Sequence, residues 1–69
     1  MDNITHKGKV KFYNLDKKYG FITDNVSHTD HFFHFTGIAE KGSIQKDDNV
    51  QYELENTNRG IKAINIRKI

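Results

Sequence analysis

Short runs of alternating apolar and polar residues recur along this chain, and no window carries a sustained helical period. In the run from Lys7 to Tyr13, Lys7, Lys9, Lys11 and Tyr13 fall on one face, with Val10 and Phe12 on the other. Tyr19–Thr23 alternates large and small residues and ends β-branched. His31–Phe35 is aromatic throughout. Val50–Glu55 has the apolar-in, polar-out pattern of a strand with one face on a core, and Ile61–Ile69 places Ile64 and Ile66 in register. Turn-forming residues separate these runs at Asn14–Asp16, Asp24–Asp30, Asp47–Asn49 and Asn56–Gly60. The pattern predicts five short strands and one long connection, Thr36–Asn49. Five strands in 69 residues point to a single all-β domain over residues 1–69, a five-stranded antiparallel barrel of the OB type. A small SH3-like barrel is the alternative that pattern alone leaves open.

Composition narrows the possibilities. A core this small supplies only about 3–5 kcal/mol of net stability. The chain has no Cys, so neither a disulfide nor a thiolate zinc site can reinforce it. Met1–Lys9 is polar, with no apolar run of the kind a signal peptide or membrane anchor needs, and the expectation is a cytoplasmic protein without membrane contact. The net charge of +2 is small, but its distribution is uneven. Lys7, Lys9, Lys11, Lys17 and Lys18 make one basic segment, and Arg59, Lys62, Arg67 and Lys68 make another. The segment between them, Glu40–Glu55, is acidic. If folding joins the two basic segments, the barrel has a basic face and an acidic side.

All the aromatic residues except Tyr52 lie between Phe12 and Phe35, interleaved with Lys17 and Lys18 and flanked by Lys9 and Lys11. A core of this size cannot bury them all. Adjacent strand residues also point to opposite faces, so one of Phe32 and Phe33 lies near the surface, as does one of Phe12 and Tyr13. Exposed rings beside lysines suit single-stranded nucleic acid: bases stack on the rings and ammonium groups follow the phosphates. The four histidines do not suggest a metal site. His31 and His34 are three apart and leave opposite faces of a strand, and no carboxylate completes a ligand spacing. Neither a glycine-rich phosphate loop nor a nucleophile–His–carboxylate pattern is present, so no enzyme and no cofactor are expected. Asp24, Asp30, Asp47 and Asp48 fall in turns, where Asp serves the backbone.

These segments resemble the bacterial-type cold-shock domain family, from about Lys7 to the end of the chain. Lys9–Asn14 is similar to the family's opening strand, Lys17–Ile22 to its first ribonucleoprotein motif and His31–Phe35 to its second. Asn58–Gly60, with Ala63 and Asn65, is similar to its last hairpin and strand. The resemblance implies an OB-type barrel that binds single-stranded RNA or DNA with little sequence preference, acts as an RNA chaperone and works as a monomer. It implies stacking by Phe12, Tyr19, Phe21, Phe32, His34 and Phe35, a phosphate path along Lys11, Lys17 and Arg59, and polar base contacts by Asn14 and Asp30. The competing class is a protein-interaction barrel whose aromatic patch meets a partner, but interface cores are depleted of the lysine found here. The chain departs from the family's pattern at several positions. Phe12 replaces a tryptophan, Lys18 a glycine, His31 and Phe33 valines, and Ile61 a proline. The Thr36–Asn49 connection is about two residues shorter than the family's common form and lacks an aromatic. Phe12 also poses a conflict, because alternation groups it with core residue Val10 while the family position is on the surface. A bend or a bulge in the first strand would reconcile the two.

Overall fold

Each of the five alternating runs forms a strand in the structure, a computed structural model that describes residues 5–39 and 44–69. The elements are β1 (His6–Asn14), β2 (Tyr19–Asp24), β3 (Asp30–His34), a 3-10 turn (Phe35–Gly37), β4 (Asn49–Thr57) and β5 (Gly60–Lys68). They close into a barrel in the order β1-β2-β3-β5-β4, with β4 pairing back onto β1. The expected barrel is therefore present, with one amendment to its antiparallel description. β3 and β5 run parallel, through Phe32↔Lys62 and Phe33↔Ala63. A parallel neighbour requires a crossover, and here the chain between β3 and β5 supplies it. Part of the Thr36–Asn49 connection, residues 40–43, lies outside the described residues.

Val10, Ile22, Phe33, Val50, Tyr52, Ala63 and Ile66 are fully buried and form the barrel core with Ile38 and Ile44. Gly20 faces this core because nothing larger fits. A Cβ there would run into the Phe12 carbonyl oxygen and come within 2.8 Å of the Phe33 ring. Two register shifts set which residues turn inward. In β1, Val10 pairs with Ile22 and Phe12 with Phe21, so Lys11 is the extra residue of a bulge. The bulge reverses the alternation: Val10 is buried, Phe12 turns outward, and Tyr13 turns in to meet the Phe33 ring at 5.4 Å. In the β4–β5 pair, Gln51↔Arg67 is followed by Glu53↔Ile64, which leaves the extra residue on β5. Asn65, with φ 51°, takes the left-handed conformation there. As a result Ala63 and Ile66 enter the core, and the expectation that Ile64 and Ile66 share a face is not met.

Two further expectations change. The aromatic run ends as a strand at His34, not Phe35. The His34 ring accepts a hydrogen bond from the Thr36 N–H at 3.2 Å, and Phe35 begins the 3-10 turn. The basic segments also do not adjoin directly, because β4 stands between β5 and β1. Lys62 lies 3.7 Å from Glu55 and Lys68 3.8 Å from Asp48, so acidic residues neutralise part of the second basic segment.

Asp24 does more than serve its turn. Its Oδ1 accepts from the Val26 and Ser27 N–H groups at 2.8 and 3.0 Å, as expected for a turn carboxylate. Its Oδ2 accepts from the buried Tyr52 hydroxyl at 2.7 Å, with the His6 ring 3.5 Å away. The Tyr52 hydrogen bond, reinforced by the backbone donors and the His6 charge, holds the Asp24 carboxyl down at about 2. Burial, with Asp24 beside it, pushes the Tyr52 hydroxyl up. His6 and His31 flank the Tyr52 ring at 5.6 and 5.9 Å, so His31, on the inward side of β3, closes this end of the barrel.

Candidate nucleic-acid interface

Strand register places the candidate aromatic residues side by side. Phe12 pairs with Phe21, Phe21 with Phe32, and Phe32 with Lys62, which makes one lateral row across four strands. Asn14, Tyr19 and His34 make the neighbouring row. Tyr19 touches both flanking rings, with centroids 5.8 Å from Phe12 and 5.8 Å from Phe32. Phe21 lies 6.4 Å from Phe12 and 6.0 Å from Phe32. The four rings form a continuous platform in mixed stacked and edge-to-face contacts, geometries that aromatic pairs favour. Phe12 is 39 % and Phe32 38 % exposed, large values for bulky apolar residues paired within a sheet, so their faces are open to a ligand. The neighbour of Phe32 on the strand, Phe33, is fully buried, as alternation requires.

Polar and charged groups frame the platform. At one edge Lys11 Nζ meets Asp30 Oδ2 at 2.7 Å, and Thr23 Oγ1 donates to Asp30 Oδ1 at 2.7 Å. The Lys11 hydrogen bond, followed by that from Thr23, holds the Asp30 carboxyl below its ordinary range. At the other edge the β1–β2 turn is held by Asn14, whose Oδ1 accepts from the Lys17 N–H at 3.0 Å and whose carbonyl accepts from the Lys18 N–H at 2.7 Å. Lys17 is exposed in that turn. Lys18 places its ammonium 5.8 Å from the centroid of the half-buried Phe35 ring, which also packs against the core. Beside Phe32 and His34 a groove opens toward the β4–β5 hairpin, lined by Asn58, Arg59, Ile61 and Lys62. Gly60, with φ 119°, closes that hairpin, and Thr57 Oγ1 accepts from the Arg59 N–H at 3.1 Å.

The structure thus gathers Lys11, Phe12, Asn14, Tyr19, Phe21, Asp30, Phe32 and His34 on the β1–β2–β3 face. It sets Lys17 and Arg59 at the rims and Phe35 at the end of β3, partly withdrawn toward the core. Lys62 joins this face although its sequence context marks it only as one of several basic residues. Its place beside Phe32 depends on the parallel β3–β5 pairing, for which no local signal exists. His31 and His34 lie on opposite sides of β3, the first against Tyr52 and the second in the Tyr19 row. Among the described residues, no group of three or more His, Asp or Glu is placed to hold a metal ion. Among them, too, no helix is long and apolar enough to cross a membrane.

A closed five-stranded barrel with a ring platform and lysines on one sheet face defines a small OB-type barrel with a surface for flat, anionic polymers. Comparison with known proteins makes this class specific. Residues 6–69 match the family described as the 'Cold-shock' DNA-binding domain. The chain is 40 % identical over 65 residues to cold shock protein CspB of Geobacillus stearothermophilus, covering 91 % of this chain and 97 % of that one. It is 36 % identical over 64 residues to the major cold shock protein of Micrococcus luteus, covering 90 % and 96 %. Among solved structures, a Drosophila Unr fragment, CSD456, superposes with a TM-score of 0.78 at 22 % identity. That match covers 97 % of this chain and 27 % of the Unr chain, and it supports the fold. The chain belongs to the cold-shock domain family, whose members bind nucleic acid.

Proposed function

We propose that this protein binds single-stranded RNA or DNA by stacking unpaired bases on Phe12, Tyr19, Phe21 and Phe32. The continuous four-ring platform is the observation that carries this reading. Each base stacked on such a ring contributes about 1–3 kcal/mol, and a duplex, which hides its base faces, forgoes that gain. His34 on β3 and Phe35 at the start of the 3-10 turn extend the stacking surface. Lys11, Lys17 and Arg59 follow the phosphates. Asp30 spends one acceptor site per oxygen on Lys11 and Thr23, and a carboxylate has about four, so it retains capacity for a base amino group. Asn14 keeps its amide N–H donors for a base carbonyl. The protein acts as a cytoplasmic monomer and as an RNA chaperone without catalysis. Because it favours unpaired strands, weak pairing shifts toward open by mass action.

The decisive experiment is a fluorescence titration of a labelled pyrimidine-rich single strand and its matching duplex across a salt series. The single strand should bind more tightly, and its log K should fall with log salt at a slope near −0.7 per phosphate neutralised. Equal binding of both forms, or of neither at low salt, overturns the proposal.

A further inference from the structure

A second groove lies beyond the Asp30 edge of the platform, between the Asp24–Asp30 turn and the turn at Gln45–Asp48. The Gln45–Asp48 turn is anchored on the bulged part of β1. The Val10 N–H donates to the Asp48 carbonyl at 3.0 Å, and the Asp47 N–H donates to the Val10 carbonyl at 2.7 Å. The turn is also closed on itself, because Asp48 Oδ2 accepts from the Gln45 N–H at 2.8 Å. Lys46 therefore sits on an anchored turn and lines the groove together with Lys9 and Lys11 of β1 and His28 of the opposite turn. Of the two carboxylates among the described lining residues, Asp24 has both oxygens engaged by Tyr52, Val26 and Ser27, and Asp47 is exposed. Lys9 and Lys46 make no ion pair with a described residue. Lys11 is already paired with Asp30, so Lys9 and Lys46 are the ammonium groups the groove offers to an anionic ligand, and neither Phe nor Tyr lines it.

Its position is as informative as its charge. Lys11 and Thr23 line the groove and also hold Asp30 at the edge of the platform. Thr23 is two residues along β2 from Phe21, or about 7 Å of strand rise. A strand stacked on Phe21 and running past Thr23 enters the gap between the two turns. We infer that this groove is a phosphodiester subsite, holding the sugar–phosphate backbone of nucleotides that overhang the aromatic platform and making no base contact. The inference rests on the stacking proposal and extends it to a longer, base-independent footprint.

The test uses a short pyrimidine strand that fills the platform, alone or extended at either end by two abasic nucleotides. Extension at one end should tighten binding about threefold to tenfold at low salt and steepen the salt dependence by about 0.7 per added phosphate. Lys46→Gln should remove that gain and leave the short strand's affinity unchanged. Arg67→Gln, the same charge change on the β4–β5 side, should preserve the gain. Asp47→Asn should enlarge it, and Asn tolerates the φ of 71° found there. A gain that survives Lys46→Gln, or no gain at either end while the short strand still binds, overturns the subsite alone. A short strand that fails to bind the native protein overturns the stacking proposal, and the subsite with it.

Discussion

Lys18 holds a backbone φ of 61°, in the left-handed region where a side chain costs about 1–2 kcal/mol and glycine costs little. It occupies the position at which the resembling family carries glycine, so the structure supplies the physical reason for that preference. The ammonium over Phe35 offsets part of the strain, since an exposed cation–π contact contributes about 0.5–1 kcal/mol. Lys18→Gly should therefore stabilise the protein by a few tenths to about 1 kcal/mol, raising the melting temperature by several degrees for a domain of this size. A melt followed by circular dichroism that shows no rise would mean the strain is relieved elsewhere. Phe12 presents the complementary case, a residue whose backbone is well placed but whose ring is small. It is exposed and in contact with Tyr19 and Phe21. Phe12→Trp should tighten single-strand binding by a few tenths to about 1 kcal/mol, a fraction of one base stack. Unchanged affinity in a folded variant would place Phe12 outside the site.

At the scale of the element, β3 separates stability from binding within two adjacent residues. Phe33 is fully buried against Tyr13 and beside Gly20, and Phe32 stands in the exposed ring row. Phe33→Ala should cost about 3–5 kcal/mol through the cavity it leaves. That is comparable to the whole stability of so small a domain, so this variant should be largely unfolded at room temperature. Phe32→Ala should stay folded and lose about 1–3 kcal/mol of binding with one missing stack. Thermal melts and an oligonucleotide titration on the two variants decide the matter, and the opposite outcome would mean a strand register wrong by one residue. This alternation was legible in the sequence because period 2 is local. The bulges were legible only in part. The conflict at Phe12 between alternation and the family position pointed to a bend or a bulge in β1, and the structure shows a bulge, whereas nothing in Ile61–Ile69 marked Asn65 as the extra residue of β5.

For the molecule as a whole, Asp24 links three strands: it ends β2, receives the Tyr52 hydroxyl from β4 and lies beside His6 of β1. Its carboxyl titrates at about 2 in the folded protein, below its ordinary value of 3.8, chiefly because Tyr52 donates to the ionised form. A folded-state value depressed in this way adds stability that is fully present above the unfolded value and is lost as pH falls through the folded one. The contribution is about 2 kcal/mol, and it should disappear between roughly pH 4 and pH 2. Asp24→Asn, which keeps the shape and cannot ionise, isolates it from the other carboxylates. In urea melts the native protein should exceed this variant in stability at pH 7, and the gap should close toward pH 2. A gap that does not change with pH would mean that the ionised form of Asp24 contributes no stability of its own.

Local physics determined much of this protein from sequence alone. Period-2 patterning and turn residues located the strands, the crowding of rings between Phe12 and Phe35 implied an exposed aromatic face, and adjacency set Phe32 and Phe33 on opposite sides. Only the closed barrel decided how those pieces meet. The parallel β3–β5 pairing brings Lys62 to the platform, and β4, inserted between β5 and β1, lets acidic side chains offset part of the basic segment. The Tyr52 hydroxyl reaches Asp24 across 28 residues of chain. Such contacts depend on which distant segments become neighbours, and that follows from closing the sheet so that no edge is left unpaired, a condition no single window of sequence contains.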